Sequence, residues 1–354
     1  MRLLFIINTP AQAHTWHYII KDLLAKGHTV KILARDYGDT VNLIGTFGFQ
    51  YDSFKLKGSR ILRFLRLLEH LQTCYKLSRK FEPSIVIGFG VDAAITAVRL
   101  KKLCIVFNDS EGLPVQRYLN KLFASTILTP ECFTEDLGKK HIRIKGYKEL
   151  AYLHPNYFKP DPSVLNELGV AINEKYAILR LNAFDAVHDI GEHGFTVANQ
   201  IELVKELKKY ARIFISPEGN LSKELEEYRL PISFDRIHHA LYYAQLLVTD
   251  TQTMATESAI LGTPAIRSNT FVGRNRLGNF IELENKYGLT YSFSKAEMAI
   301  QKSIELIKQP DLKEKYTAKQ HKLLSDKIDC TQFMVNFIVN YPESIKKQRR
   351  EKGL

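Results

Sequence analysis

Short apolar runs alternate with longer stretches of helical periodicity along most of the chain. Such runs are typical of parallel strands that helices cover on both faces. The pattern therefore predicts an α/β protein with two Rossmann-like, doubly wound parallel sheets in series. The runs are RLLFIIN, TVKILAR, SIVIGFG and KLCIVFN in the first half, and YAILRLN, ARIFISPEG, LLVTD and TPAIRS in the second.

The alternation pauses at residues 146–164, a segment rich in proline and aromatic residues that has no clear period. A length of 354 residues suits two domains. Ligands of such sheets bind at the carboxyl ends of the strands, so we expect a ligand cleft between the domains. The predicted limits are an N-terminal domain over 1–150, a linker over 151–168, a C-terminal domain over 169–330, and a helix with a basic tail over 331–354.

Composition narrows the class of protein. With 45% hydrophobic and 25% charged residues, the chain has the profile of an ordinary globular protein. The four cysteines are widely spaced and form no CxxC pair, so we expect reduced thiols in a cytoplasmic protein. The apolar run at residues 3–7 is too short for a signal-peptide core or a membrane span. We therefore expect neither export by that route nor a transmembrane protein.

The net charge of +12 calls for an anionic partner or another reason. Part of it lies in residues 59–71, where Arg60, Arg63 and Arg66 recur among leucines, and part lies in the basic tail. A helix over 59–71 would have a cationic edge beside an apolar face, as helices bound to anionic membranes do. A solvated edge on a packed helix is the alternative. No nucleic-acid-binding motif accompanies the charge, so we expect no nucleic acid partner.

The stretch TDTQTMATESAILGTP, residues 249–264, predicts the end of a buried strand, a hydroxyl-rich turn and a helix that Thr253 or a neighbour caps. Unpaired N–H groups and the dipole at a helix start favour a phosphate, and the hydroxyl of Thr251 adds a donor. Glu257 lies about one turn into the helix, where it can accept hydrogen bonds from a ribose diol. A plain capped helix with a solvated glutamate is the alternative.

The longer segment PISFDRIHHALYYAQLLVTDTQTMATESAILGTPAI resembles the non-hydrolysing UDP-N-acetylglucosamine 2-epimerases and related GT-B glycosyltransferases. The shared pattern is a proline-led strand, a helix, an apolar strand ending in Asp, a short phosphate loop, a glutamate and L-G-x-P. The loop here lacks the glycines usual in those families. The resemblance implies a GT-B fold, with the diphosphate at Thr251, Gln252 and Thr253, the ribose at Glu257 and the base near Phe234.

A second resemblance covers nearly the whole chain. Its overall length and the stretch YLHPNYFKPDPSVLNELGV are similar to an uncharacterised family of archaeal and bacterial proteins that is placed with the GT-B fold. This resemblance implies the fold and brings no activity.

Carboxylates follow two strands of the first half. The epimerase pattern ends one of these strands with an Asp that works on the sugar, and the resemblance assigns that place to Asp92. Asp109 and Glu111 follow the next strand, where a carboxylate suits removal of a proton from a sugar hydroxyl or a carbon acid. Glu111-Gly-Leu resembles the epimerases, but residues 114–116 are Pro-Val-Gln in place of Pro-Glu-Glu. A helix N-cap cluster is the alternative.

Polar residues also crowd the turn after the first strand of the second half, in LRLNAFDAVHDIGEHGF. Asp185, His188 and His193 lie here beside Arg180. The epimerases have a histidine-arginine segment at this point, so the resemblance assigns Arg180 or His188 to phosphate or sugar. The two histidines of HDIGEH are five residues apart with Gly191 between them, which does not fit a metallopeptidase helix. We expect no metal.

Histidines elsewhere divide into two groups. His14 follows the first strand, where GT-B enzymes commonly present contacts to sugar or acceptor, and the neighbouring Trp16 is predicted to pack the first helix. His238 and His239 lie in a tyrosine-containing helical pattern and are interpreted as packing or surface residues.

A dinucleotide site is the main competing interpretation. Residues 88–93, GFGVDA, fit G-x-G-x-x-A after an apolar strand, and Asp109 lies where a ribose-binding acid is expected. However, the turn after the first strand, NTPAQAH, contains no glycine.

The sequence thus predicts an enzyme that binds a UDP-sugar as substrate, without a further cofactor, and transfers the sugar to a glycan or lipid-linked acceptor. The alternatives are a UDP-sugar 2-epimerase, a non-catalytic nucleotide-sugar binding protein and a dinucleotide-dependent oxidoreductase. We expect a cytoplasmic location, at the inner membrane face if residues 59–71 and the tail bind lipid. The predicted catalytic residues are Asp92, Glu111 and His188; the nucleotide-binding residues are Arg180, Phe234, Thr251, Gln252, Thr253 and Glu257; and His14 and Asp109 lie on the acceptor or sugar side.

Overall fold

The computed structural model divides the chain into two compact units. The first comprises Met1–Tyr157 and Lys327–Leu354, and the second comprises Phe158–Asp326. The division therefore falls inside the predicted linker, residues 151–168, and the C-terminal helices belong to the first unit. The structure describes residues 1–55, 67–111, 114–181, 194–270, 272 and 277–351.

The described part of the first unit contains a parallel sheet of seven strands in the order β3-β2-β1-β4-β5-β6-β7. The order reverses between β1 and β4, so the switch point of the sheet lies at the carboxyl ends of these two strands. The strands are β1 (Arg2–Ile7), β2 (Thr29–Arg35), β3 (Asp52–Phe54), β4 (Ile85–Gly88), β5 (Leu103–Phe107), β6 (Thr126–Pro130) and β7 (His141–Ile144).

Helices cover this sheet and connect its strands. The first begins directly after β1, because Pro10 occupies its first turn and the Thr9 hydroxyl accepts a hydrogen bond from the Gln12 N–H. The described helices of the unit are α1 (Pro10–Ala25), α2 (Thr40–Thr46), α3 (Leu67–Arg79), α4 (Val91–Leu100), α5 (Pro114–Phe123) and α6 (Leu150–Leu153), with α14 (Cys330–Val339) and α15 (Glu343–Glu351) from the C-terminal segment.

The described part of the second unit contains five parallel strands in the order β12-β11-β10-β8-β9. Its switch point lies between β8 and β10. The strands are β8 (Tyr176–Leu181), β9 (Arg212–Pro217), β10 (Leu246–Thr249), β11 (Ala265–Ser268) and β12 (Thr290–Phe293). The helices are α7 (Ser163–Leu168), α8 (Val197–Leu207), α9 (Ile237–Tyr243), α10 (Thr253–Ile260), α11 (Gly278–Asn285), α12 (Ala296–Ile307) and α13 (Leu312–Asp326).

The apolar runs are the strands because they are buried on both faces. Every residue of YAILRL in β8 and LLVT in β10 is buried, as are all four residues of β4. The prediction of two Rossmann-like parallel sheets is thereby confirmed. Within the described chain, no helix is both long enough and apolar enough to cross a membrane.

Candidate functional site

Asp92 lies at the switch point of the first sheet, in the first turn of α4. Its Oδ2 accepts a hydrogen bond from Asn8 Nδ2 at 2.8 Å and lies 3.3 Å from His70 Nε2, while its Oδ1 accepts from the Ala93 N–H at 2.9 Å. Burial raises the pKa of Asp92, but the hydrogen bonds from His70 and Asn8 outweigh burial and leave the pKa below its ordinary value of 3.8. Asp92 is therefore a firmly held anion at neutral pH.

Sequence reasoning missed His70 and Asn8 as partners of Asp92. His70 is buried in α3, and its Nδ1 lies 3.8 Å from the sulfur of Cys74, one helical turn away. His70 and Asp92 are 22 residues apart in the sequence, and their contact depends on the packing of α3 against α4. No local sequence pattern predicts such a contact. The position of Asn8 gave a weak indication of a site residue, since it directly follows β1 at the predicted strand end.

Close packing explains why residues 88 and 90 are glycines. A Cβ on Gly88 would lie 2.8 Å from the Cβ of Ala93, and a Cβ on Gly90 would lie 2.5 Å from Oδ1 of Asp92. The Asp92 carboxylate thus occupies the start of α4, where a dinucleotide site would hold its pyrophosphate. A fixed negative charge there repels a phosphate, so the geometry disfavours the dinucleotide interpretation.

The other two predicted carboxylates of the first unit have separate partners. Oε1 of the buried Glu111 accepts hydrogen bonds from the Thr134 N–H at 3.1 Å and its hydroxyl at 3.4 Å. Asp109 forms an ion pair with Lys148, which also lies 2.8 Å from Glu149. Burial alone would lower the pKa of Lys148, but these two carboxylates outweigh it and hold the pKa above its ordinary value. Asp109 is consequently part of a partly buried charge network, in which Glu149 is the buried member.

The histidines of α1 lie in an aromatic cluster. The His14 ring stacks on Tyr152, with centroids 5.3 Å apart, and the His17 ring stacks on Phe47 at 3.9 Å. Burial, aided by Lys21, lowers the pKa of His17 to about 4. Trp16 is fully buried, which confirms its predicted packing role.

The second sheet brings Arg180 and the Thr249–Thr251 turn to one edge. Arg180 of β8 is the register partner of Thr249 of β10, so both lie at the switch point. The Thr251 N–H donates to the Thr249 hydroxyl at 2.9 Å, and the Asn269 side chain donates to the Asp250 carbonyl at 2.9 Å. These bonds fix the turn that leads into α10.

The capping prediction for this turn is wrong. Thr253 is the first residue of α10, and Gln252 precedes it without a hydrogen bond from its side chain to the helix N–H groups. The Thr251 hydroxyl instead lies 2.9 Å from the Thr249 hydroxyl, as the backbone turn directs it toward the strand end.

Arg180 is held by neighbours of its own unit. Its guanidinium donates to the Ser216 hydroxyl at 2.9 Å and to Oε1 of Glu218 at 2.5 Å, and it lies 5.2 Å from the centre of the Phe234 ring. Phe234 is 37% exposed and borders a cavity of about 190 Å³ that Ser216 and Ile237 also line. Because Glu218 offsets its charge, Arg180 is better placed to support the Phe234 ring than to bind phosphate.

Glu257 is paired with His238. Oε1 of Glu257 lies 3.0 Å from Nε2 of His238, and the two residues are only 5% and 6% exposed. The alternative of a solvated glutamate is therefore wrong. His238 is buried, as the packing interpretation allows, but its contact with Glu257 makes it part of the candidate site. The separation of the two residues in the sequence does not predict this contact. His239 instead stacks on Phe158, with centroids 5.0 Å apart.

Two groups of predicted residues lie outside the described part of the chain. They are Asp185, His188 and His193 after β8, and Arg60, Arg63 and Arg66 before α3.

Two parallel-sheet α/β units, each with a switch point that carries polar side chains, define a protein of the GT-B fold. The chain belongs to the family described as "Protein of unknown function (DUF354)", whose model matches residues 3–342. This membership confirms the second resemblance. No curated protein matches the chain in sequence.

Solved structures support the fold. The chain is similar to UDP-GlcNAc 2-epimerase from Neisseria meningitidis bound to UDP-GlcNAc, with a TM-score of 0.72, 14% identity, and coverage of 96% of this chain and 100% of that one. It is similar to the S. aureus MnaA–UDP structure, with a TM-score of 0.70, 11% identity and 98% coverage of both chains. The calicheamicin glycosyltransferase CalG4 gives a TM-score of 0.59, 12% identity, and coverage of 96% and 98%.

Proposed function

We propose that this protein is an enzyme that binds a UDP-sugar and transfers the sugar to a glycan or lipid-linked acceptor. The observation that carries the proposal is the edge of the second sheet, where the Thr249–Thr251 turn, the start of α10 and the buried Glu257 follow β10 beside Arg180 of β8. Open α/β sheets bind ligands at such switch points.

Each part of a nucleotide finds a suitable group in this unit. The N–H groups at the start of α10 suit a diphosphate. A carboxylate has about four acceptor sites, so Glu257 can accept from a ribose hydroxyl while it contacts His238. The half-exposed ring of Phe234, supported by Arg180, suits stacking of a planar base.

The carboxylates of the first unit receive different roles in the proposal. Asp92 is a weak base, because its hydrogen bonds lower its pKa, and it suits stabilisation of positive charge on the sugar. We assign removal of the acceptor proton to Glu111, whose contacts to Thr134 come from neutral donors. The start of α10 would stabilise the departing diphosphate. The role of His188 stays a prediction.

Epimerisation of the sugar nucleotide is the second candidate, since it would use the same donor site and the similar structures include UDP-GlcNAc 2-epimerases. It needs more than one base to remove and return a proton on opposite faces. Gln116 stands where a second glutamate is expected, and its amide donates to the Phe89 carbonyl at 3.3 Å. Release of an altered nucleotide sugar without any acceptor would favour this candidate.

Calorimetric titration with UDP, UDP-N-acetylglucosamine and NAD tests the donor site. We expect the two UDP compounds to bind and Glu257→Ala to abolish that binding. Binding of NAD alone, unaffected by Glu257→Ala, would reject the proposal in favour of the dinucleotide interpretation. If the protein binds UDP and its turnover is unchanged in Asp92→Asn and in Glu111→Gln, the assigned catalytic roles are rejected. Complete absence of turnover would indicate a binding protein.

A further inference from the structure

The outer face of α5 is apolar. Val115, Tyr118 and Leu122 are 72%, 67% and 55% exposed, and their spacing of three and four residues places them on one side of the helix. Asn120 of the same helix is fully buried. A helix on a protein surface normally turns its apolar side inward. The outer face of α5 is therefore suited to an apolar partner.

Positive charge lies at the C-terminal end of this face. The segment PVQRYLNKLF contains no Asp or Glu, and Lys121 is exposed within it. The ammonium group of Lys140 donates to the carbonyls of Lys121 and Leu122 at 3.1 and 3.2 Å, at the end of the helix. Glu135 forms an ion pair with Arg117 at 2.7 Å, and the Arg117 side chain is largely buried. An anionic surface would complement the remaining charge.

We propose that the outer face of α5 docks on an anionic lipid bilayer. Val115, Tyr118 and Leu122 would enter the boundary between headgroups and acyl chains, and Lys121 with Lys140 would meet anionic headgroups. A second copy of this chain is a poorer partner, because a two-fold contact would bury the exposed Lys121 of both copies and α5 itself offers no acidic partner.

The inference rests on the proposed function in one respect. α5 begins shortly after Glu111, the residue assigned to deprotonate the acceptor, so docking through α5 would hold a lipid-linked acceptor near that residue. The bilayer contact itself is tested without any turnover.

Flotation with vesicles of equimolar phosphatidylcholine and phosphatidylglycerol tests the surface. We expect the full chain to float with these vesicles, and the triple variant Val115→Ser, Tyr118→Ser, Leu122→Ser to lose at least about tenfold in partition coefficient. Ile172→Ser is the matched control, because Ile172 is 78% exposed in the second unit and should not contribute. The same assay with Arg60, Arg63 and Arg66 replaced by Gln measures the separate contribution predicted for residues 59–71.

Three results would overturn the inference: a wild-type protein that does not float, a triple variant that floats as well as wild type, or a dimer in light scattering that the triple variant dissociates. UDP titration separates this inference from the proposed function. If the protein floats through α5 but binds no UDP compound, the bilayer proposal stands and the proposed function is rejected. If it binds UDP compounds but does not float, the proposed function stands and the bilayer proposal is rejected.

Discussion

His238 Nε2 lies 3.0 Å from Oε1 of Glu257, and the contact joins α9 to α10. Both side chains are almost completely buried, and a buried carboxylate is costly unless a donor meets it. The position of the Glu257 carboxylate is therefore set by the packing of two helices. We infer that His238 positions Glu257 for the ribose hydroxyls.

His238→Ala should weaken binding of UDP by about tenfold, because a mobile carboxylate holds the ribose hydroxyls less well. The same variant should bind 2′,3′-dideoxy-UDP as wild type does, since that ligand lacks both hydroxyls. Titration calorimetry with the two ligands measures the difference. His239→Ala is the control, because His239 stacks on Phe158 and should change neither affinity. Equal losses for both ligands would mean that His238 only maintains the fold.

Phe234→Ala should weaken UDP binding by about tenfold or more, since stacking on an aromatic ring contributes about 1–3 kcal/mol per base. The free energy of unfolding should fall by only about 1–2 kcal/mol, because the residue is already 37% exposed. Titration with UDP and with inorganic pyrophosphate separates the base from the phosphates. A parallel loss of pyrophosphate binding would show that Phe234 does not act through the base.

Asp92→Asn should lower the free energy of unfolding by about 2–4 kcal/mol at neutral pH. The amide keeps one acceptor oxygen, whereas Asn8, His70 and the Ala93 N–H lie against both carboxylate oxygens. Asp52→Asn is the control, since its ion pair with Lys31 is partly exposed and its loss should change stability by less than about 1 kcal/mol. Urea unfolding compares the two variants, and equal effects would contradict the network at Asp92.

The fold followed from the sequence because parallel strands that are buried on both faces leave nearly continuous apolar runs, as in YAILRL and LLVT. The candidate roles of Asp92 and Arg180 came from the resemblance to the epimerases, and that of Glu257 from its place in the helix after the strand; these roles stay predictions. The partners of Asp92 and Glu257 could not be predicted from the sequence, because the packing of helices brings His70 and His238 to these carboxylates.

Local turn chemistry was also beyond the sequence. A threonine before a helix can cap it or bond to the preceding strand, and both choices satisfy its hydroxyl. Thr251 takes the second choice, since the strand end presents the Thr249 hydroxyl at 2.9 Å.

We predict that His17 makes the free energy of unfolding sensitive to acid. Its ring stacks on Phe47 at 3.9 Å, and burial followed by the charge of Lys21 lowers its pKa from 6.5 to about 4. As the pH falls below 6.5, the unfolded chain gains a proton on His17 that the folded protein does not, so the free energy of unfolding falls until about pH 4. The loss should reach at most about 3 kcal/mol, and it should be absent above the unfolded pKa.

His17→Phe keeps an aromatic ring against Phe47 and removes the titrating group, so it should flatten this part of the pH dependence. Urea unfolding of both proteins at about pH 8 and about pH 5 measures the effect. All other titrating groups are common to the two proteins, so the difference between them isolates His17. A difference in unfolding free energy that is the same at both pH values would show that His17 titrates alike in the folded and unfolded chains.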